Sequence, residues 1–226
     1  MNYPYLLFDA DNTLFNFDRA NQEAFHAVCR QFDIPDSDET FALYERCNNE
    51  MWAAFDRGEC TKEFLVVQRF RNFLSAMGLD RDVERCNALH LHTLSQCAFM
   101  LPYAEEVCHI LARSHKLYLV TNAVASVQRG RLAKSPIVPD ITAAFISEEA
   151  GAAKPSAAYF DYVFARIDGI TRENCLVIGD SISSDIRGAN NYGLPCCWYN
   201  PRHTPRPDGL RIDYEIDDLR ALCDIV

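Results

Sequence analysis

Five short stretches of the chain are apolar from end to end: Tyr5–Phe8, Leu117–Val120, Ala144–Ile146, Cys175–Ile178 and Cys196–Tyr199. A strand with one wet face alternates apolar and polar residues, so unbroken apolar runs indicate strands covered on both sides. Helical stretches separate them, around 103–113, 124–133, 156–167 and 183–192. Strand and helix in alternation, with both sheet faces covered, specify the α/β class: a doubly wound, Rossmann-like parallel sheet.

The alternation is interrupted once. From about 17 to 98 the pattern is helical throughout. Phe25, Val28, Cys29 and Phe32 share one helix face; Phe41, Tyr44, Met51, Trp52 and Phe55 mark a second helix ended by Gly58. Val66, Phe70, Phe73, Leu74 and Met77 mark a third ended by Gly78, and Val83, Cys86, His90 and Leu94 a fourth. Ser37 or Asp38, Thr61 and Asp80 are the N-cap candidates of the last three. Residues 1–15 and 99–226 therefore form the α/β core, and 16–98 an inserted helical bundle. Trp52 and Trp198 read as core residues. His90 and His92 lie two apart on a helix, so they do not share a face and are not expected to bind metal.

The 226 residues carry 22 basic and 32 acidic side chains, a net charge of −10. With no Lys/Arg cluster to offset it, that charge argues against nucleic-acid polymers and anionic membranes as partners. An anionic substrate would need a cation in its site. No run reaches the roughly 18 apolar residues of a membrane span, and the N-terminus has no signal-peptide pattern, so a cytoplasmic protein is expected. The ten cysteines are scattered, with no C-x-x-C, and read as reduced buried residues. Oligomeric state is not legible.

Reactive groups in such sheets gather where strands reach their carboxyl edge. Asp9-Ala10-Asp11-Asn12-Thr13 follows the first strand, Thr121-Asn122 the second, Gly179-Asp180-Ser181 the fourth with Asp185 just beyond, and Lys154-Pro155 lies in the stretch after the third. Asp9 and Asp11, two apart in extended chain, point to one side. Neighbouring carboxylates stay ionised most readily around a divalent cation, and Asp180 adds oxygen to that set. Oxygen ligands without His or Cys favour Mg²⁺. Thr121, Asn122 and Lys154 suit phosphate oxygens. A carboxylate nucleophile beside Mg²⁺ and a lysine is the chemistry of aspartyl-phosphate formation.

The segments FDADNT, LVTNA, GAAKP and GDSISSD, in that order, resemble the four motifs of haloacid-dehalogenase-type (HAD) phosphatases, and the helical insertion resembles that family's first type of cap. The resemblance spans essentially the whole chain. It implies that Asp9 is the nucleophile, and that Asp11 protonates the leaving oxygen and later activates water. Asp9, Asp180 and the backbone carbonyl of Asp11 would hold Mg²⁺. Thr121, Asn122 and Lys154 would bind phosphate, with Lys154 also offsetting the acids. Thr13, Ser181 and Asp185 would support the site, Asp185 through Lys154 or through a metal-bound water. The second motif ends here in Ala123, where the family often has Gly.

FDADNTLFNFD, with Asn12 in place of the Gly of DxDGT, narrows the resemblance to pyrimidine-type 5′-nucleotidases. Phe15 and Phe17 either stack a base or pack at the hinge. The expected substrate is a small phosphate ester, a pyrimidine nucleoside monophosphate, with selectivity supplied by the cap. The alternatives are a phosphatase for phosphoglycolate or a sugar phosphate, a phosphomutase, a haloacid dehalogenase, and a phospho-binding module without activity. Asp11 speaks against the dehalogenase, because carbon–halogen cleavage needs no acid at the leaving group.

Overall fold

A computed structural model describes residues 3–226. The chain divides into two compact units, one built from the segment up to Phe17 with Ala98–Val226, the other from Asp18–Cys97. In chain order the elements are β1 (Tyr5–Phe8), α1 (Phe17–Phe32), α2 (Asp38–Asp56), α3 (Lys62–Met77), α4 (Val83–Gln96), α5 (Ala104–Leu111), β2 (Lys116–Thr121), α6 (Ala125–Lys134), β3 (Ile141–Ile146), α7 (Ser147–Ala150) and α8 (Ala157–Phe164). They continue with β4 (Cys175–Gly179), α9 (Arg187–Tyr192), β5 (Cys196–Tyr199), β6 (Tyr214–Ile216) and α10 (Leu222–Ile225).

The strands form one parallel sheet in the order β3-β2-β1-β4-β5-β6. Successive side chains point to opposite faces, and this alternation builds two cores. Leu6, Phe8, Leu117, Leu119, Leu176 and Ile178 pack with Val107 and Leu111 of α5. Leu7, Val120, Val177 and Trp198 pack on the other face with Tyr159, Phe160 and Val163 of α8. The chain winds outward from β1 to β3, then returns to β4 on the other side of β1. The carboxyl ends of β1 and β4 thus flank the reversal, where such sheets bind ligands. Phe8 stands opposite Ile178, which brings Asp9 and the Gly179-Asp180 segment abreast.

Three local features differ from expectation. β6 is not foreseen, because the three-residue Tyr-Glu-Ile run is too short and too mixed to stand out after the proline-rich loop. The stretch 183–192 is not one α-helix but a π-turn, Ile182–Ile186, continued by α9. Of the ten cysteines, all free, Cys60 and Cys97 are only half-buried and Cys223 is exposed.

In the second unit, Ser37 and Thr61 cap α2 and α3 through their side-chain oxygens. Asp82, not Asp80, caps α4, accepting the Arg85 N–H at 3.0 Å. Gly78 ends α3 at a φ of 65°, the left-handed position that glycine fills without strain. The core is aromatic: Phe25 stacks on Tyr44 at 4.7 Å and meets Phe73 edge-on at 5.4 Å. Trp52, unlike Trp198, is only half-buried and packs edge-to-face on Phe55 at 5.7 Å, because the apolar stripe of α2 leaves the core after Asn48.

Beside those rings lies a buried polar network around Arg69. Its guanidinium donates to the Val66 carbonyl (3.1 Å), Asn48 Oδ1 (2.9 Å) and Asn87 Oδ1 (3.4 Å), and stands 3.2 Å from His90 Nδ1. A guanidinium only donates, so His90 Nδ1 accepts and the ring proton sits on Nε2, 3.1 Å from both Asn21 Oδ1 and the Tyr44 hydroxyl. Burial, and then Arg69, hold His90 well below its ordinary pKa, so the ring is neutral. Replacing His90 with Leu deprives Arg69, Asn21 and Tyr44 of a partner at once. The expected loss is roughly 3 kcal/mol, from about 1–3 kcal/mol per unmet buried group. At about 2–4 °C per kcal/mol for a chain of this size, thermal unfolding should move down by about 10 °C. A melting point within a degree or two of wild type would show that the network carries no such weight.

Candidate active site

Lys154 is the centre of the crevice. Its ammonium is buried and uses all three protons: it donates to Asp9 Oδ1, to Asp185 Oδ1 and to the Val120 carbonyl, each at 2.6 Å. Asp185 accepts a second bond from the Ser181 N–H through its other oxygen, at 3.0 Å. Both Asp185 oxygens are thereby engaged, and Asp185 acts on Lys154. Ser181 itself caps the π-turn, accepting the Ser184 N–H at 3.2 Å. Asn122 grips the Lys154 backbone from both sides, accepting its N–H (3.0 Å) and donating to its carbonyl (2.8 Å). The Asn122 side chain thus places Lys154, a role that the motif reading did not give it. Thr121 is buried and accepts the Ala123 N–H at 3.1 Å, which leaves its hydroxyl proton to donate into the crevice.

Asp9 is nearly buried and Asp11 partly exposed, with side-chain exposures of 11% and 26%. Thr13, buried, accepts the Asp180 N–H at 3.1 Å and so ties the loop after β1 to the loop after β4. Asn12 adopts a φ of 59°, in the region open mainly to Gly and Asn, while its Oδ1 accepts the Phe17 N–H at 3.1 Å. The Asn at this position meets a backbone demand that Gly also meets, and adds a side-chain bond that Gly cannot make.

The structure adds a residue that the motifs do not contain. Arg131, fully buried on α6, donates through Nη1 to Asp11 Oδ1. Its guanidinium lies over the Phe15 ring, 4.7 Å from the centroid, and 5.9 Å from that of Phe17. Phe15 is fully buried in the sheet core, which corrects the idea that it stacks a base; Phe17 is half-buried. The sequence offers only a weak signal for Arg131, its place on the helix that follows Thr121-Asn122.

Charge is what the crevice must manage. Burial, and then repulsion from Asp185, push the Asp9 carboxyl up to about 7 against the pull of Lys154. Burial, followed by Asp9 and Asp185, drives Asp180 well above the usual carboxylate range. For Lys154, burial is the largest influence and pulls down, but Asp185 and Asp9 together outweigh it and raise the ammonium. Four carboxylates, Asp9, Asp11, Asp180 and Asp185, meet two cations, Lys154 and Arg131, a deficit of two positive charges. Oxygens of Asp9, Asp180 and Asp185 lie within 4.8 Å of one another. A divalent cation with a taste for hard oxygen ligands fits both the charge and the donor set. Since Asp185 is committed to Lys154 and Ser181, Asp9 and Asp180 are the side chains suited to hold it.

Comparison with known proteins identifies the family. Residues 3–193 match the model of the haloacid dehalogenase-like hydrolases. The HAD-hydrolase YfnB of Bacillus subtilis is 34% identical over 99% of this chain and 95% of its own. Pyrimidine 5′-nucleotidase PynA of Streptococcus pneumoniae is 32% identical with the same coverage, and pyrimidine 5′-nucleotidase YjjG of Escherichia coli is 28% identical over 98% of this chain and 97% of its own. The crystal structure of YfnB bound to magnesium superposes with a TM-score of 0.95, covering 100% of this chain and 99% of that one. With its doubly wound sheet and its carboxylates and lysine gathered at the reversal of strand order, the chain belongs to the haloacid dehalogenase-like hydrolase family.

Proposed function

We propose that the protein is a Mg²⁺-dependent phosphomonoesterase that forms an aspartyl-phosphate on Asp9, with pyrimidine nucleoside 5′-monophosphates as substrates. The observation that carries this reading is the different placement of two acids two residues apart: Asp9 is nearly buried against Lys154, whereas Asp11 is the more exposed of the two. A nucleophile has to stay ionised and fixed, whereas an acid–base group has to exchange a proton at the mouth of the site. Asp9 Oδ attacks phosphorus as the bond to the leaving oxygen breaks, and the Asp11 proton passes to that oxygen. Water then attacks phosphorus, its proton returns to Asp11, and the Asp9–phosphoryl bond breaks to release phosphate. Thr121 would donate to an equatorial oxygen, the Lys154 charge beside Asp9 would offset the phosphoryl group, and Thr13 keeps the two acidic loops in register. Asp9, Asp180 and the Asp11 carbonyl would hold Mg²⁺, which supplies the positive charge that the crevice lacks.

The nucleotide assignment draws on PynA and YjjG, whose names give that activity. Phosphate release from dUMP, dTMP, AMP, phosphoglycolate and a hexose phosphate tests it. The expected outcome is the highest kcat/KM on dUMP or dTMP. A tenfold win for phosphoglycolate or the hexose phosphate, about 1.4 kcal/mol of transition-state preference, would leave only the phosphatase reading.

Asp9→Asn keeps the shape of the side chain but removes the attacking charge, and turnover should fall to background. Asp11→Asn should retain attack on esters with good leaving groups and lose far more on poor ones. An equal loss on both kinds of ester would remove Asp11 from the acid role.

A cation test follows from the raised carboxyls. A carboxyl with a folded pKa near 7 holds its proton more tightly folded than unfolded, so the chelated protein should lose stability as pH rises from about 4 to about 7. Mg²⁺ competes with that proton, so the increase in melting temperature on adding Mg²⁺ should grow over the same range. A Mg²⁺ effect that is flat with pH, or full turnover in EDTA, would count against the site.

A further inference from the structure

The family motifs leave Gln128 unexplained. Its side chain is fully buried on α6, one turn before Arg131. Gln128 Oε1 lies 3.5 Å from Arg131 Nη1, the same nitrogen that donates to Asp11. Charge sets the orientation of the amide, because the reversed form would press its NH₂ against a guanidinium. The other end, Nε2, is buried and has no hydrogen-bond partner among the described residues. A buried donor left unmet costs about 1–3 kcal/mol, and a leucine there would avoid that cost. The chain instead keeps an amide, directed by Arg131, next to the acid of the reaction.

The neighbours of this amide bear on which part of a substrate it would meet. Lys154 and Thr121 attend to Asp9 and the phosphoryl group. Arg131 attends to Asp11, which faces the leaving oxygen in the reaction proposed above, and Gln128 lies one turn before Arg131 on the same helix. Phe15 and Phe17 hold the guanidinium plane, and the guanidinium holds the amide.

We infer that Gln128 and Arg131 form a leaving-group subsite, in which Gln128 Nε2 donates to a second oxygen of the leaving alcohol close to its ester oxygen. The substrate class is an alcohol phosphate bearing such an acceptor, as the furanose of a nucleoside monophosphate does; the inference rests on the phosphatase reading for the role of Asp11. Part of the selectivity then belongs to the α/β unit and not to the cap.

The test compares kcat/KM for dUMP with that for phenyl phosphate, whose leaving group has no second oxygen, in wild type, Gln128→Leu and Gln128→Met. Both variants remove the donor, and the unbranched Met serves if Leu does not pack. The dUMP value should fall at least tenfold more than the phenyl phosphate value. Melting temperature should hold or rise, because an unmet buried donor has been removed. If both esters lose the same factor, or neither loses any, Gln128 is not a leaving-group contact. The wild-type arm separates the two readings. Phosphate release from neither ester ends the phosphatase reading and the subsite with it. A preference for a hexose phosphate ends only the nucleotide assignment, and the same ratio, with that ester in place of dUMP, then decides the subsite.

Discussion

Everything at the mouth of this sheet depends on one buried ammonium. Lys154 binds Asp9, Asp185 and the Val120 carbonyl with its three protons, and among the described residues no other cation pairs with Asp9 or Asp185. Burying a carboxylate without a partner costs several kcal/mol, so neither acid could sit where it does without this lysine. The surroundings are arranged to serve it. Asn122 fixes the Lys154 backbone, the Ser181 N–H takes the remaining Asp185 oxygen, and Gly179 makes room. A Cβ on Gly179 would lie 2.3 Å from the Asp185 carboxyl carbon, so only glycine fits before Asp180.

The cap handles a buried cation in the opposite way. Arg69 has no carboxylate partner in its network and is satisfied by amide oxygens, a carbonyl and a neutral imidazole. Burial lowers its pKa, with Tyr44 only partly offsetting that pull. Neutral acceptors hold the guanidinium geometrically without leaving negative charge inside the bundle. The core unit, by contrast, gathers more negative charge than its own cations balance, which is the condition for recruiting a metal ion.

What could be read in advance followed from how local each signal was. The strands carrying the site were legible because a strand buried on both faces must be apolar at every position, and Leu176-Val177-Ile178 is. β6 was not, because three residues at the sheet edge carry no such requirement. Asp9, Asp11, Lys154 and Asp180 were legible as strand-end chemistry. Phe15 was ambiguous because an aromatic next to an acid reads the same whether it faces a substrate or the core, and only packing, at no exposure, separates the two. Asp80 and Asp82 are equally good caps on paper; the backbone chose Asp82.

The sequence by itself determined the parallel sheet, the place of the helical insertion and the identity of the acids, the lysine and the threonines at the strand ends, because each of these is a local pattern or a single residue's chemistry. The tertiary structure decided which of those groups touch. It made the Asn122 side chain a clamp on Lys154, gave Asp185 to the lysine, and brought Arg131 from a helix 120 residues away onto Asp11. Such contacts depend on how helices and loops far apart in the chain pack at one sheet edge, and no local spacing encodes that distance.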